Sequence, residues 1–160
     1  MKKVLVLLMG ISLMFSCSHI ISKDSRELVD ETMSHEALFA NPDAYVGKTV
    51  ILGGFIVKTT NTGDITYIEV VQNPLDYRGR PRTRDHSYGR FLILAEGFID
   101  AAIFSPGRVL SVAGEVLGTK TESLGKMRYS YLLVRSREMH IISHKQGIPV
   151  HIGIGVWQTF

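Results

Sequence analysis

Five arginines fall within fifteen positions, Asp76 to Arg90, in the stretch DYRGRPRTRDHSYGR. Arg78, Arg80, Arg82, Arg84 and Arg90 carry planar guanidinium forks that suit phosphate and carboxylate partners, which makes them candidate anion-binding residues. A plainer reading is a solvated loop in which Asp76 and Asp85 pair part of the charge. Tyr77 and Tyr88 flank the run and are expected to pack on the domain beside it. Other chemistry-bearing residues are less well placed. Asp85, His86 and Ser87 are neighbours in sequence, so their side chains diverge and cannot form a hydrogen-bonded relay. His140 and His144 would lie about 13 Å apart in a strand, too far to share an ion, and no metal site is expected. Gly153 and Gly155 lack the third glycine and the strand–helix setting of a dinucleotide loop. Glu69, Asp76 and Glu115 would matter to an enzyme only if two of them met in one cleft. No catalytic residue is expected.

The chemistry with the firmest support lies at the other end of the chain. MKKVLVLLMGISLMFSCSHI opens with Lys2 and Lys3, continues with an apolar run from Val4 to Phe15, and reaches Ser16-Cys17. The run is too short to cross a hydrocarbon core of about 30 Å as a helix. It has the length and flanks of a secretory signal, without an A-x-A-like cleavage site. Met14-Phe15-Ser16-Cys17 resembles a bacterial lipobox: apolar, variable, small, cysteine. The resemblance implies cleavage before Cys17, a thioether to diacylglycerol on its sulfur, and an acyl chain on the new amine. That covalent lipid is the sole expected cofactor. Each buried methylene contributes about 0.8 kcal/mol, and three chains exceed the two signals that stable anchoring needs. Ser18 follows the cysteine. By the same resemblance, an aspartate there would favour retention in the inner membrane, so Ser18 favours sorting to the outer membrane.

Removing residues 1–16 leaves 144 of the 160 residues, enough for one domain with a real core. It also changes the charge. The whole chain is +3, but without Lys2 and Lys3 sixteen basic residues face fifteen acidic ones. A chain this near neutrality has no bulk attraction for a polyanion, and nucleic acid is not expected as a partner. Acylation of Cys17, the single cysteine, would leave no thiol for a disulfide.

The elements that must position these residues are mostly strands. The polar stretch SKDSRELVDETMS reads as a tether. Ser34 is placed to cap a short helix over His35 to Ala40, closed by Asn41-Pro42. KTVILGGFIVKTT is β-rich, and its Gly53-Gly54 pair marks a bulge or sharp bend. Asn61-Thr62-Gly63-Asp64 is a hairpin turn. In ITYIEVV, Tyr67, Glu69 and Val71 share one face, with Thr66, Ile68 and Val70 on the other. RFLILAE reads as a nearly continuous buried strand. GFIDAAIFSPG suits a single turn or a brief helix, RVLSVAGEVLG alternates as a strand, TKTESLGK reads as a loop, and MRYSYLLVRSREMHII as a long strand that bends. The order β-β-β-(short helix)-β-β predicts an all-β fold, a small five-stranded OB-like barrel with one short helix. The expected organisation is a signal peptide at 1–16, a lipidated tether at 17–36, the barrel at 37–145 and an apolar C-terminal tail at 146–160, containing Trp157, that lies against the barrel.

Several of these strings line up with one family. NPDAYVGKTVILGGFIV, VVQNPLDYRGRPRTRDHSYGRFLI, GFIDAAIFSPGRVLSVAGEVLG and LGKMRYSYLLV resemble, in order, the segments of the Slp (starvation lipoprotein) family, from about Ala37 to Ile142. The chain departs from the family pattern at Asp100-Ala101, Tyr131-Leu132 and Ile141-Ile142, positions that bear on local backbone shape more than on chemistry. The resemblance implies an outer-membrane lipoprotein, often linked to stress or stationary phase, and supplies no catalytic residues. The expected function is therefore a non-enzymatic envelope lipoprotein, held in the outer membrane by its lipid, facing the periplasm, and binding an envelope anion or a protein partner. Its oligomeric state is left open. An enzyme acting on an envelope polymer through barrel carboxylates is the alternative, and an OB-type nucleic-acid binder a weaker third.

In a host that processes lipoproteins, fatty-acid label should enter the wild-type chain and not Cys17→Ala, which should persist as the longer precursor. A wild-type chain that takes up no label would sink the anchor.

Overall fold

The computed structural model describes residues 19–30, 32–82, 86–124 and 127–143. The signal segment, Cys17, Ser18, Arg84, Asp85, His144 and the C-terminal tail lie outside the described residues. Two short helices, α1 (Lys23–Glu27) and α2 (His35–Ala40), and a 3-10 turn (Pro42–Tyr45) precede five strands: β1 (Thr49–Thr62), β2 (Ile65–Gln72), β3 (Arg90–Glu96), β4 (Val109–Leu124) and β5 (Met127–Ile142). The strands close into a barrel in the order β1-β2-β3-β5-β4, with β4 pairing back onto β1. All pairs are antiparallel except β3 with β5, which run parallel through Phe91–Leu94 and Leu132–Arg135. This is the five-stranded OB-type arrangement expected.

The interior follows from alternation. Leu52, Ile56, Ile68, Val70, Phe91, Ile93, Leu110, Val112, Val116, Leu132 and Val134 fill one continuous core. Each large side chain so buried contributes roughly 1.5–3 kcal/mol. On β2 the expected faces are observed: Thr66, Ile68 and Val70 are buried, while Tyr67, Glu69 and Val71 are partly open. α2 forms where its cap predicts, with the Ser34 hydroxyl accepting the Ala37 N–H at 3.2 Å. Its Leu38 is fully buried within the barrel core, and Phe39 meets Phe91 edge-on at 6.3 Å.

β1 must serve two partners. Thr49 to Phe55 pairs with β4, and Gly54 to Thr62 pairs with β2. The overlap falls at Gly54, where an added Cβ would land on the Val71 carbonyl oxygen. Only glycine permits that approach. The bulge anticipated at the glycine pair lies further along, between Ile56 and Lys58. The β4–β5 ladder has register shifts at Ala113/Gly114 and Val116/Gly118, and the first leaves Arg137 of β5 unmatched, the kind of bulge that bends a strand.

Three expectations are corrected. TKTESLGK is not a loop: β4 runs on to Leu124, and Thr119 to Leu124 pairs with Met127 to Leu132. Threonines and a serine at alternate positions suit a strand, but this part carries no apolar alternation to announce it. Between β3 and β4, where a single turn or a brief helix is expected, the chain takes the turn, closed by Ile103 and Phe104 N–H groups on the Asp100 carbonyl, and the short helix of the expected strand order is not formed there. Residues 19–30, within the expected tether of 17–36, are docked on the barrel. Ile21 is buried, Ile20 N–H donates to the Arg78 carbonyl at 2.9 Å, and Val29 bridges Thr49. Ser22 and Ser25 hydroxyls each donate to Glu138 at 2.7 Å.

Burial pushes the Glu138 carboxyl up, but hydrogen bonds from Ser22, His140 and Ser25 prevail and hold it at about 2, against an ordinary 4.5. A carboxyl lowered on folding stabilises above its ordinary value and loses that contribution as pH falls toward its folded value. Amide exchange in residues 20–25 should therefore accelerate as pH is lowered from about 4.5 toward 2, beyond the intrinsic trend. Glu138→Gln should exchange faster already at neutral pH and lose that extra slope. Identical pH profiles for the two proteins would refute the linkage.

Candidate functional site

A polar cleft of about 580 Å³ opens where the β1–β2 and β4–β5 hairpins stand beside each other. Lys58, Thr60 and Thr62 come from β1, Tyr67 and Glu69 from β2, Lys120 and Glu122 from β4, and Tyr131 from β5. Period-two alternation places the β2 pair on one outward face. The strand extension of TKTESLGK raises Lys120 and Glu122 opposite it.

Two ion pairs lie in and beneath the cleft, Arg90 with Glu69 and Lys120 with Glu122. Arg90 donates to Glu69 Oε1 at 2.6 Å, and the Tyr131 hydroxyl donates to the same oxygen at 3.2 Å. That carboxylate raises the Arg90 pKa. Burial, then the Glu69 charge, raises that of Tyr131, so its hydroxyl stays a donor. Lys120 lies 3.4 Å from the Tyr67 ring centroid and 2.9 Å from Glu122. Burial works against the Lys120 charge, but Glu122 and Tyr67 outweigh it and raise its pKa. Tyr129 and Tyr131 pack with centroids 4.6 Å apart, and the Tyr129 hydroxyl accepts the Arg90 N–H at 3.1 Å.

The arginines of the opening stretch are dispersed. Arg90 belongs to β3 and is committed to Glu69. Asp76 folds the segment carrying Arg78 and Arg80 into a tight turn, accepting their N–H groups at 2.8 and 2.9 Å. Burial opposes its ionisation, yet those N–H groups and the Arg80 and Arg82 charges lower its pKa. Gly79 supplies the positive φ of 80° that the turn requires, and its carbonyl accepts the Ser111 hydroxyl at 2.6 Å. The turn is thus pinned to β4. Arg80 and Arg82 are exposed. Arg78 lies over the Tyr77 ring at 5.2 Å and points into a second, smaller pocket beside the N-terminal segment. Tyr88 packs edge-on to His86 and against Phe39, as expected of a flanking tyrosine. Tyr77 does not: it is 68% exposed.

The three carboxylates of the enzymatic alternative are not brought together. Glu69 lines the cleft, Asp76 closes the arginine turn, and Glu115 on β4 pairs with Arg137 at 3.2 Å. Glu122 does share the cleft with Glu69. Sequence reasoning missed it, because it sat in a stretch assigned to a loop. Ser87 bonds the Gly89 backbone and His86 stacks on Tyr88, so they form no relay. His140 Nε2 is 2.7 Å from Glu138, and among the described residues no three acidic, histidine or cysteine side chains gather as a metal site. Nor is any described helix long and apolar enough to cross a membrane.

Fold and cleft together define a small OB-type barrel with a polar recess between two hairpins. Residues 14–151 match the outer membrane lipoprotein Slp family, and the chain belongs to that family. Membership makes it a lipoprotein of the outer membrane. Among relatives, the lipoprotein YeaY of Escherichia coli is 30% identical over 94 residues, covering 59% of this chain and 48% of its own. A Haemophilus influenzae protein is 33% identical over 95 residues, covering 59% and 51%. The E. coli outer membrane protein Slp is 25% identical over 112 residues, covering 70% and 59%. The chain thus spans about half the length of the curated relatives it matches. Among solved structures, a small single-stranded DNA-binding protein from Streptomyces coelicolor aligns over 60% of this chain and 94% of its own, at 9% identity and a TM-score of 0.42. The mitochondrial single-stranded DNA-binding protein Rim1 of S. cerevisiae aligns over 60% and 95%, at 12% identity and a TM-score of 0.39. Likenesses this weak carry no argument, and the barrel assignment stands on its own strand order.

The Glu69–Arg90 pair makes an asymmetric prediction. The Glu69 side chain is 13% exposed and that of Arg90 33%. Arg90→Ala leaves a carboxylate shielded from water with one weak donor, and should cost about 2 kcal/mol. Glu69→Gln leaves a guanidinium that water can reach, and should cost about 1 kcal/mol. Urea unfolding of both variants checks this. The reverse order would show that the pair's stability does not come from covering the carboxylate.

Proposed function

We propose that this chain is a non-enzymatic envelope lipoprotein whose barrel presents the hairpin cleft to a polar envelope ligand or partner. In this reading Cys17 carries the diacylglycerol and N-acyl chains, Ser18 directs the chain to the outer membrane, and the barrel faces the periplasm. A tie to stress or stationary phase rests on the family resemblance alone.

The observation that carries the reading is the cleft itself. OB-type barrels bind oligonucleotides and oligosaccharides on the face framed by their first and last hairpins, and this cleft occupies that position. Its lining balances Lys58 and Lys120 against Glu69 and Glu122, and adds the hydroxyls of Thr60, Thr62 and Ser123 with two tyrosines. Balanced charge gives a polyanion little purchase. Abundant hydroxyls and fixed donors suit a neutral, hydroxylated chain, such as the sugar strands of the envelope. Binding is favoured over catalysis because Glu69 is engaged by Arg90 and Tyr131, and Glu122 by Lys120. Neither acid of the cleft is uncommitted, as a general acid or base would need to be.

The test is photo-crosslinking in living envelopes from Thr60, in the cleft, and from Ala101, on the β3–β4 turn. Thr60 should yield an envelope adduct that Lys120→Ala reduces, and Ala101 should not. Equal yields from both positions, or none from Thr60, would exclude the cleft as the binding face.

A further inference from the structure

The second pocket, about 270 Å³, lies between the docked N-terminal segment and the arginine turn. His19, Arg26 and His35 line one side, with Asp76, Tyr77 and Arg78 on the other. Its two guanidiniums differ from those that are ion-paired in the barrel wall. Arg90 and Arg137 each pair with a carboxylate. Arg26 and Arg78 pair with none among the described residues, and the Nε of each is buried without a hydrogen-bond partner. Leaving a charged donor both shielded and unmatched is costly unless something occupies the site. The acid in the wall does not meet that need, because Asp76 Oδ1 is taken by the Arg78 and Arg80 N–H groups. Burial lowers the His35 pKa despite its hydrogen bond to the Ile51 backbone, so this histidine adds a neutral ring rather than a charge.

The pocket's place in the chain indicates the source of an anion. His19 is in the wall, and two residues span at most about 7 Å. The backbone of His19, one wall residue of the pocket, is therefore within about that distance of Cys17. If Cys17 carries acyl chains, the pocket is held at headgroup depth. Tyr77, exposed beside the pocket with Arg78 over its ring, is the kind of amphipathic side chain that settles in that layer.

We propose that Arg26 and Arg78 form a binding site for the phosphate of an anionic membrane lipid, a site distinct from the hairpin cleft. The proposal rests on the anchoring of Cys17 for its choice of a lipid over free phosphate. Two guanidiniums approaching one phosphodiester supply the fork geometry that phosphate favours. Occupancy would seat the barrel against the leaflet that holds the anchor.

The acylated chain is to be reconstituted in vesicles of phosphatidylcholine, alone or with an equal part of phosphatidylglycerol, and amide exchange followed. Phosphatidylglycerol should slow exchange in residues 19–30 and 75–80 by about thirtyfold, the scale expected of two basic side chains at an anionic surface. The paired substitution Arg26→Gln and Arg78→Gln should abolish the difference. Arg128→Gln with Arg135→Gln, which removes equal charge elsewhere, should preserve it. Equal exchange in both vesicles, or a difference that survives loss of Arg26 and Arg78, would overturn the site. Equal slowing by inorganic phosphate added to phosphatidylcholine vesicles would overturn the lipid as its source. Intact mass of the same sample reads Cys17 separately. A bare thiol refutes the anchor, and the pocket is then titrated with soluble short-chain phosphatidylglycerol, where saturable shifts lost with Arg26 and Arg78 support it and their absence overturns it.

Discussion

Closure of the sheet is the constraint on which the rest depends. Every strand of a closed barrel pairs on both sides, and five strands close only if one of them bends enough to pass from one neighbour to the other along its length. β1 is that strand, and its change of partner at Gly54 brings its backbone against the Val71 carbonyl. Once β1 is shared, β2 and β4 are fixed on either side of it, and β5 must complete the ring by running parallel to β3. The two hairpins that result are longer than closure requires. Their outer portions, Lys58–Thr62 with Ile65–Glu69 and Thr119–Leu124 with Met127–Leu132, stand next to each other. The cleft is the space between them. It is a product of strand length, not of an added loop, which makes it a rigid support for a binding surface.

The arginine-rich stretch shows how topology reassigns a local signal. Read along the chain, it is one run of like charge. In the fold, it straddles the entry to β3, and its described members face three different surroundings. Arg90 joins the barrel wall and stabilises a carboxylate that would otherwise be stranded. Arg80 and Arg82 remain in solvent. Arg78 turns toward the N-terminal segment, where Arg26 joins it from α1, fifty-two positions earlier. The pairing of Arg26 with Arg78 cannot be read from spacing, since it depends on docking of a segment that looks dispensable.

What was legible in the sequence was whatever carried apolar alternation or turn chemistry. β3 occupies the span of RFLILAE, the β1–β2 turn falls at Gly63 with its positive φ of 58°, and Ser34 caps α2 as its position suggests. The five-strand order was legible too, because the strands are separated by glycine and proline signals. Two kinds of feature were not. The outer half of β4, Thr119 to Ser123, is polar on both faces, so no alternation distinguishes it from a loop. The N-terminal segment is docked by serine hydroxyls on a distant glutamate and by one buried isoleucine, Ile21. Both are long-range interactions built from residues that also suit a tether. The Arg90–Glu69 pair was similarly hidden: twenty-one positions separate its members.

Docking of that segment changes what a lipid anchor would mean mechanically. A free tether of about twenty residues would let a barrel wander tens of ångströms from the bilayer, on the end-to-end scale of a flexible chain. Here the backbone is already hydrogen-bonded to the arginine turn at Ile20, and the side chain of the next residue is buried. Slack between an acylated Cys17 and the folded body shrinks to two or three residues, about 10 Å at full extension. The barrel would then stay near the leaflet with the Arg78 side toward it. Release needs the Glu138 hydrogen bonds and the Ile21 contact to break together, because both hold the same short segment. A lipoprotein built this way would work at a fixed height, its reach from the bilayer set by the body of the barrel rather than by a linker.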